Sequence, residues 1–183
     1  MMILCPHFLI DIMKNLVIIG AGGMGRTIFD VARESIGYGI EYTIKGFIDD
    51  NLSALDGFED YPPMLGTISH YLPEVDDVFT FSIGGESRRV CIEYLMERNA
   101  KFINIVHSTA RIGSNVRMGE GNVIGAFTSL GADCSIGSYN MIQSYTVIGH
   151  DAKIGDFNRI DTHVTCVGGC LLYTSPSPRD PKT

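Results

Sequence analysis

The sequence has no run of about 20 apolar residues, the length that a membrane-spanning helix needs. Residues 1–12 (MMILCPHFLIDI) are apolar, but they have neither a basic start nor a small-residue cleavage site, so a signal peptide is not predicted. The simpler interpretation is that Met13 is the natural start and that residues 1–12 are an upstream extension.

Basic residues are also scarce. Lys and Arg number 14 against 21 Asp and Glu, which gives a formal charge of −7 and argues against a nucleic-acid surface. The cysteines, at positions 5, 91, 134, 166 and 170, include no C-x-x-C pair. This argues against a disulfide framework or a zinc site and favours a reducing cytoplasm. No group of His, Cys and acidic residues has metal-ligand spacing, so no metal is expected.

What the sequence does have is a period of six residues that runs without a slip through nine blocks, from Ile112 to Thr165. Each block opens with an aliphatic residue or Met, the block opener, and Gly follows most openers. The openers are Ile112, Met118, Ile124, Leu130, Ile136, Ile142, Ile148, Ile154 and Ile160, and Cys166 starts a tenth block. A period of six fits neither a helix nor a plain strand, but it fits short strands joined by sharp corners.

We expect the openers to point inward and Gly to take a positive-φ corner. Stacked coils of this kind bury one continuous column. The pattern resembles the left-handed parallel β-helix of the hexapeptide-repeat acyltransferases, with coils at 112–129, 130–147 and 148–165. A β-helix without a catalytic role is the alternative.

The stretch from Lys14 to Gly25 predicts a buried strand, a glycine loop and the start of a helix. Its glycines match G-x-G-x-x-G, which lets the backbone approach a diphosphate at the positive end of the helix. A second strand, about 42–48, ends in Asp49-Asp50, where an acid can bind a ribose hydroxyl. This order favours a nucleotide site over the alternative, a packing glycine motif with a solvated Asp pair.

The next elements are an irregular segment at 51–76, a strand at 78–83 ending in Gly84-Gly85, a helix at 86–98 and a short strand at 102–106. Residues 13–107 therefore predict an α/β, Rossmann-like βαβαβ domain, followed by the β-helix domain at 108–169. A half-fold of this size holds one mononucleotide, which favours a nucleotide sugar of the UDP type over NAD.

His150 and Asp151 lie side by side at a predicted corner of the β-helix. A neutral imidazole can accept a proton near pH 7, and a neighbouring carboxylate can orient it. Acetyl transfer from a thioester needs such a base together with donors for the oxyanion. A solvated surface pair is the alternative.

From Cys170 the segment CLLYTSPSPRD abandons the period of six. It matches the translation of a transposase adapter used in sequencing libraries. We therefore expect 170–183 to be a read-through tail and the β-helix domain to be truncated near Gly169. A genuine Pro/Ser-rich tail is the alternative.

Residues 14–169 resemble the sialic-acid O-acetyltransferase and bacillosamine N-acetyltransferase family of hexapeptide-repeat sugar acetyltransferases. The motifs that carry the resemblance are GAGGMG at 20–25, FIDD at 47–50, SIGG at 82–85, NIVHSTARIG at 104–113 and VIGHDAKIGDF at 147–157. The resemblance implies an acetyl-CoA-dependent acetyltransferase for bacterial surface-glycan synthesis, acting on a nucleotide-linked or free sugar. It also implies a homotrimer that binds acetyl-CoA between neighbouring β-helices.

The resemblance further implies that His150 is the general base and Asp151 its carboxylate partner. The nucleotide-sugar site would be lined by Gly22, Gly23, Met24, Asp49, Asp50 and Gly84. Arg159 stands where some relatives have a histidine that contacts acetyl-CoA. A CoA phosphate is one partner for Arg159, and its role stays open.

The later coils that complete the acetyl-CoA groove in relatives are absent here, so an inactive fragment is one expectation. Two rival functions remain. A nicotinamide-dependent reductase would use the glycine loop, but the sequence has only a half-fold and lacks a catalytic Tyr-x-x-x-Lys. A catalytically silent nucleotide-sugar-binding protein is the other rival.

Overall fold

The computed structural model describes residues 13–85 and 87–173. The predicted upstream extension at 1–12 lies outside these residues, as does the predicted tail from Thr174 onward.

The N-terminal part is a five-stranded parallel sheet with a helix after its first and fourth strands. Its elements are β1 (Lys14–Ile19), α1 (Gly23–Arg33), β2 (Tyr42–Ile48), β3 (Met64–Gly66), β4 (Asp77–Phe81), α2 (Ser87–Met96) and β5 (Lys101–Phe102). The sheet order is β3-β2-β1-β4-β5. The apolar run at 16–19 is fully buried, as expected of a central parallel strand. The predicted Rossmann-like fold is confirmed, with β3 added inside the segment expected to be irregular.

The C-terminal part is a left-handed parallel β-helix made of two-residue strands. These are β6 (Ile105–Val106), β7 (Arg111–Ile112), β8 (Arg117–Met118), β9 (Val123–Ile124), β10 (Ser129–Leu130), β11 (Ser135–Ile136), β12 (Met141–Ile142), β13 (Val147–Ile148), β14 (Lys153–Ile154), β15 (Arg159–Ile160), β16 (Thr165–Cys166) and β17 (Leu171–Leu172). They form three four-stranded sheets, β6-β9-β12-β15, β7-β10-β13-β16 and β8-β11-β14-β17. Each residue pairs with the one 18 positions later, as in Ile124 with Ile142, so three blocks make one coil.

Both ends of the β-helix differ from the sequence-based boundaries. The strand predicted at 102–106 is divided, because β5 completes the first sheet whereas β6 pairs with β9 in the β-helix. At the other end, β17 pairs with β14, so Leu172 continues the period of six beyond Gly169. The prediction that the period stops at Cys170 is therefore wrong.

The inner column of the β-helix contains most block openers. Ile124, Leu130, Ile136, Ile142, Ile148, Ile154 and Ile160 are all buried. Met118 is only partly buried, and Ile112 is 40% exposed on β7, an edge strand of its sheet.

An asparagine ladder also lies inside the coils. Asn104 Oδ1 accepts the backbone N–H of Asn122 at 2.7 Å, Asn122 Oδ1 accepts that of Asn140 at 3.0 Å, and Asn140 Oδ1 accepts that of Asn158 at 2.8 Å. Because buried amides need hydrogen-bond partners, this ladder fixes the vertical register of the stacked coils.

Positive φ at the corners of the coils was predicted for the glycines that directly follow the block openers, and this prediction is wrong. Positive φ occurs at the third residue after an opener, for example at Asp133 (61°) and Asp151 (59°). The glycines directly after the openers serve close stacking instead. A Cβ on Gly131 would lie 2.5 Å from the backbone nitrogen of His150 in the next coil, closer than real Cβ contacts come.

The two parts of the chain share buried contacts. Val123, Tyr139 and Met141 of the β-helix belong to the same apolar cluster as the core of the first sheet. Arg88 on α2 is 5% exposed, and its guanidinium donates to the backbone carbonyl of Phe157 in the β-helix. These contacts join the first sheet to one face of the β-helix.

Candidate functional site

A cleft of about 440 Å³ opens at the carboxyl ends of the first sheet's strands, beside the glycine loop. It lies where the strand order reverses between β1 and β4, the usual ligand position in open parallel sheets. No side chain caps the N-terminus of α1 at Gly22. A Cβ on Gly25 would lie 2.1 Å from the carbonyl oxygen of Gly20, so only glycine permits this close turn. The positive end of α1 therefore faces the cleft and suits an anionic group.

Two acids at the end of β2 also line the cleft. Asp49 accepts the N–H of Ala21 at 2.7 Å and the N–H of Asn51 at 2.8 Å, each on a different carboxylate oxygen. Asp50 accepts the N–H of Ile68 at 3.1 Å. The acids thus hold the surrounding loops in place and still present carboxylate lone pairs to the cleft.

Five of the six residues predicted for the nucleotide-sugar site line this cleft, namely Gly22, Gly23, Met24, Asp49 and Asp50. Gly84 is outside the lining set but sits in the loop between two lining residues, Ile83 and Ser87.

Sequence reasoning missed several lining side chains. Ser82 is buried, and its hydroxyl lies 2.9 Å from the carbonyl oxygen of Ile19 and 3.0 Å from that of Gly20. Cys91 on α2 also lines the cleft, and burial, followed by the charge of Asp50, raises the pKa of its thiol. For Ser82, the sequence signal that could have identified it is the SIGG motif directly after a buried strand.

His150 and Asp151 form a hydrogen-bonded pair on the surface of the β-helix. The imidazole Nδ1 lies 2.7 Å from Asp151 Oδ2, and both side chains are mostly exposed. The imidazole ring lies over Gly168 in the next coil, where a Cβ would come within 2.6 Å of Nε2. The carboxylate contact at Nδ1 leaves Nε2 as the nitrogen that can accept a proton. Neither residue is among those lining the described cleft.

Arg159 lies on β15 at the junction of the two parts. Its Nε is 2.7 Å from Asp161 Oδ1, and its Nη1 lies 3.4 Å from the position of a Cβ on Gly84. The structure thus brings Arg159 to the loop that borders the cleft.

Comparisons with known proteins agree with this architecture. Residues 15–94 match the family described as the PglD N-terminal domain. Over 117 residues, 61% of this chain, the sequence is 30% identical to a UDP-N-acetylbacillosamine N-acetyltransferase of Bacillus subtilis (strain 168). The predicted resemblance is confirmed. The chain spans about half of that relative's length, 51%.

Three solved structures share the fold. WeeI from Acinetobacter baumannii AYE is 23% identical with a TM-score of 0.74, and the match covers 87% of this chain and 75% of that one. The acetyltransferase domain of PglB from Neisseria gonorrhoeae FA1090, in complex with acetyl coenzyme A, is 19% identical with a TM-score of 0.59, and the match covers 88% of this chain and 93% of that one. PerB from Caulobacter crescentus, in complex with CoA and GDP-perosamine, is 18% identical with a TM-score of 0.55, and the match covers 88% of this chain and 86% of that one.

Residues 13–85 and 87–173 contain no group of three or more His, Cys, Asp or Glu arranged to hold a metal ion. Within the same ranges no helix has the length and apolar character needed to cross a membrane.

Proposed function

We propose that this chain is an acetyl-CoA-dependent acetyltransferase that modifies a nucleotide-linked sugar for bacterial surface-glycan synthesis. The observation that carries the proposal is the His150–Asp151 pair, with Nδ1 at 2.7 Å from the carboxylate, on a chain that also has a glycine-loop cleft. The similarity to a UDP-N-acetylbacillosamine N-acetyltransferase supports it and favours an amine over a hydroxyl as acceptor.

In the proposed reaction, acetyl-CoA supplies the acetyl group as a thioester. Asp151 holds the imidazole with the Nδ1 proton toward its carboxylate. His150 Nε2 accepts a proton from the attacking sugar amine or hydroxyl as the new bond to the acetyl carbon forms. The carbon–sulfur bond then breaks, and the same nitrogen returns the proton to the departing thiolate, which leaves as coenzyme A.

The nucleotide is expected to occupy the cleft, with its phosphates toward the start of α1 and its ribose toward Asp49 and Asp50. We propose a UDP-type nucleotide, because one half-fold offers room for one mononucleotide and the curated relative is named for a UDP sugar. Calorimetry with UDP and NAD tests this proposal. Tighter binding of NAD than of UDP would support the reductase alternative and contradict the assignment.

We further propose a cytoplasmic homotrimer, with residues 13–107 as the nucleotide-sugar domain and the following coils as the acyltransferase domain. The four described cysteines are free thiols, which suits a reducing compartment. Light scattering coupled to size-exclusion chromatography measures the assembly directly, and a monomeric mass would contradict the trimer.

The main experiment measures coenzyme A release with UDP-N-acetylbacillosamine and with GDP-perosamine as acceptors. It uses this chain and a version extended at its C-terminus with the C-terminal residues of the Bacillus subtilis relative. His150→Ala should lower kcat about 10²–10⁴-fold with little change in nucleotide-sugar affinity, because it removes only the base. Asp151→Asn should lower kcat by a smaller factor, since the imidazole that acts as the base remains.

His163→Ala is the matched control, because His163 is another exposed histidine on the β-helix. It should keep the wild-type rate. Full turnover by His150→Ala would remove His150 from the mechanism. UDP binding without turnover in either chain would support the silent nucleotide-sugar-binding alternative.

A further inference from the structure

Three arginines converge where α2 begins against the β-helix. Arg88 and Arg89 lie in the first turn of α2, and Arg159 approaches from β15. Arg89 lies with its guanidinium carbon 4.2 Å from the centre of the Phe157 ring. Burial, and then the positive charges of Arg159 and Arg89, lower the pKa of Arg88 to about 10. Such a concentration of positive charge is notable in a chain with a net charge of −7.

Arg88 is a fixed part of this cluster. Its side chain is buried, and its terminal nitrogens donate to the backbone carbonyls of Phe157 and Asn158. Its Nε has no hydrogen-bond partner among the described residues. Arg88 therefore contributes positive potential from a site of low dielectric without itself being able to reach a ligand.

Arg159, unlike Arg88, is positioned to contact a ligand. Its Nε is held by Asp161 Oδ1 at 2.7 Å, and the same oxygen also accepts the side-chain amide of Gln143. Its side chain is 42% exposed. This arrangement orients the guanidinium and places its Nη1 toward the loop at Gly84.

The loop at Gly84 is the rim of the nucleotide cleft. Ile83 and Ser87, on either side of it, line the cleft, and the N-terminus of α1 lies in the same lining. A diphosphate carries two charged groups, and the helix terminus complements one of them. A planar guanidinium at the rim supplies the paired N–H donors that suit a second phosphate.

We propose that Arg159 binds the diphosphate of the nucleotide sugar across the junction of the two parts. Arg159 thereby makes the enzyme select nucleotide-linked sugars over free sugars. This inference rests on the proposed function, but it assigns Arg159 to the acceptor rather than to a phosphate of coenzyme A. Both ligands offer phosphate groups, so the experiment must separate them.

The experiment is calorimetry on the full chain with UDP, uridine and coenzyme A as separate titrants. Arg159→Gln should weaken UDP binding about tenfold to a hundredfold, because a charge-assisted contact is lost. Uridine and coenzyme A should bind as they do to the wild type. Asp161→Asn should weaken UDP binding by a smaller factor, since the guanidinium loses its orientation but keeps its charge.

Arg117→Gln is the matched control. Arg117 holds the same position in its strand as Arg159, directly before a block opener, but on a different sheet of the β-helix. It should leave all three affinities unchanged. Circular dichroism on each variant confirms that the fold is retained.

Unchanged UDP affinity in Arg159→Gln, with UDP bound by the wild type, would overturn this inference alone. A loss of coenzyme A affinity without a loss of UDP affinity would also overturn it and assign Arg159 to the coenzyme. A wild-type chain that binds no UDP would overturn the proposed nucleotide site and this inference together.

Discussion

Asp77, at the start of β4, is a buried carboxylate surrounded by donors. It accepts hydrogen bonds from Lys45 Nζ at 2.8 Å, from the Tyr71 hydroxyl at 2.7 Å and from the backbone N–H of Glu74 at 2.9 Å. Burial alone would raise its pKa, but these donors outweigh burial and lower the pKa below its ordinary value. Because the folded-state pKa is the lower one, this contribution to stability is complete above pH about 4. It is lost as the pH falls through the folded-state pKa.

We predict that Asp77→Asn lowers the free energy of unfolding by about 1.5–3 kcal/mol at pH 7, the range for hydrogen bonds to a charged group. The variant should also lose less stability than the wild type as the pH falls below about 4. Urea unfolding between pH 2 and 7 measures both effects. Asp76→Asn is the control, since Asp76 is partly exposed in its pair with Lys14 and should change little. Parallel stability curves for Asp77→Asn and the wild type would contradict the assignment.

The short repeats show which structural details a sequence pattern can predict. The period of six identified the β-helix and its buried openers, because each block repeats the same local environment. It could not separate two uses of glycine, positive φ and close stacking, because the stacking partner is a residue 18 positions away. The same reason explains why the exposure of Ile112 was not predicted, since nothing in its own block reveals that β7 is an edge strand.

Gly131 tests the stacking role of these glycines. We predict that Gly131→Ala lowers the free energy of unfolding by about 1–3 kcal/mol, because the new Cβ would overlap the backbone of His150 in the next coil. Thermal and urea unfolding measure the loss. Gly23→Ala is the control, because Gly23 has an ordinary φ in the first turn of α1 and no close atom at its Cβ position apart from Arg26 at 3.9 Å. Equal stability of Gly131→Ala and the wild type would show that the close approach of the coils at Gly131 does not contribute to stability.

At the scale of the molecule, the position of the glycine-loop cleft could largely be predicted from the sequence. The contact between the rim of this cleft and the β-helix could not. Asp49 follows a strand and a glycine motif at fixed spacing, so its place at the cleft follows from local topology. The approach of Arg159 to Gly84 joins residues 75 positions apart through the packing of two different folds. No periodic pattern encodes such a contact, so the sequence alone could not place Arg159 beside Gly84.

The shared core implies that the first sheet and the β-helix unfold together. Tyr139 is central to this contact. Its ring lies 5.5 Å from Phe102 of the first sheet and 5.0 Å from Phe157 of the β-helix, and its hydroxyl donates to Glu120 at 2.7 Å. Tyr139 is buried, so its removal would leave a cavity between the two parts.

We predict that native-state hydrogen exchange of the wild type gives one global opening free energy for β1 and β4 and for the inner coils, because one core spans them. Tyr139→Ala should lower stability by about 3–5 kcal/mol and separate the two sets of amides into independent openings. Tyr145→Ala is the matched control, since Tyr145 stacks on Phe127 at another corner of the β-helix and is 52% exposed. That variant should lose little stability and keep a single opening. Two distinct opening free energies in the wild type would contradict the shared core as the element that couples the two parts.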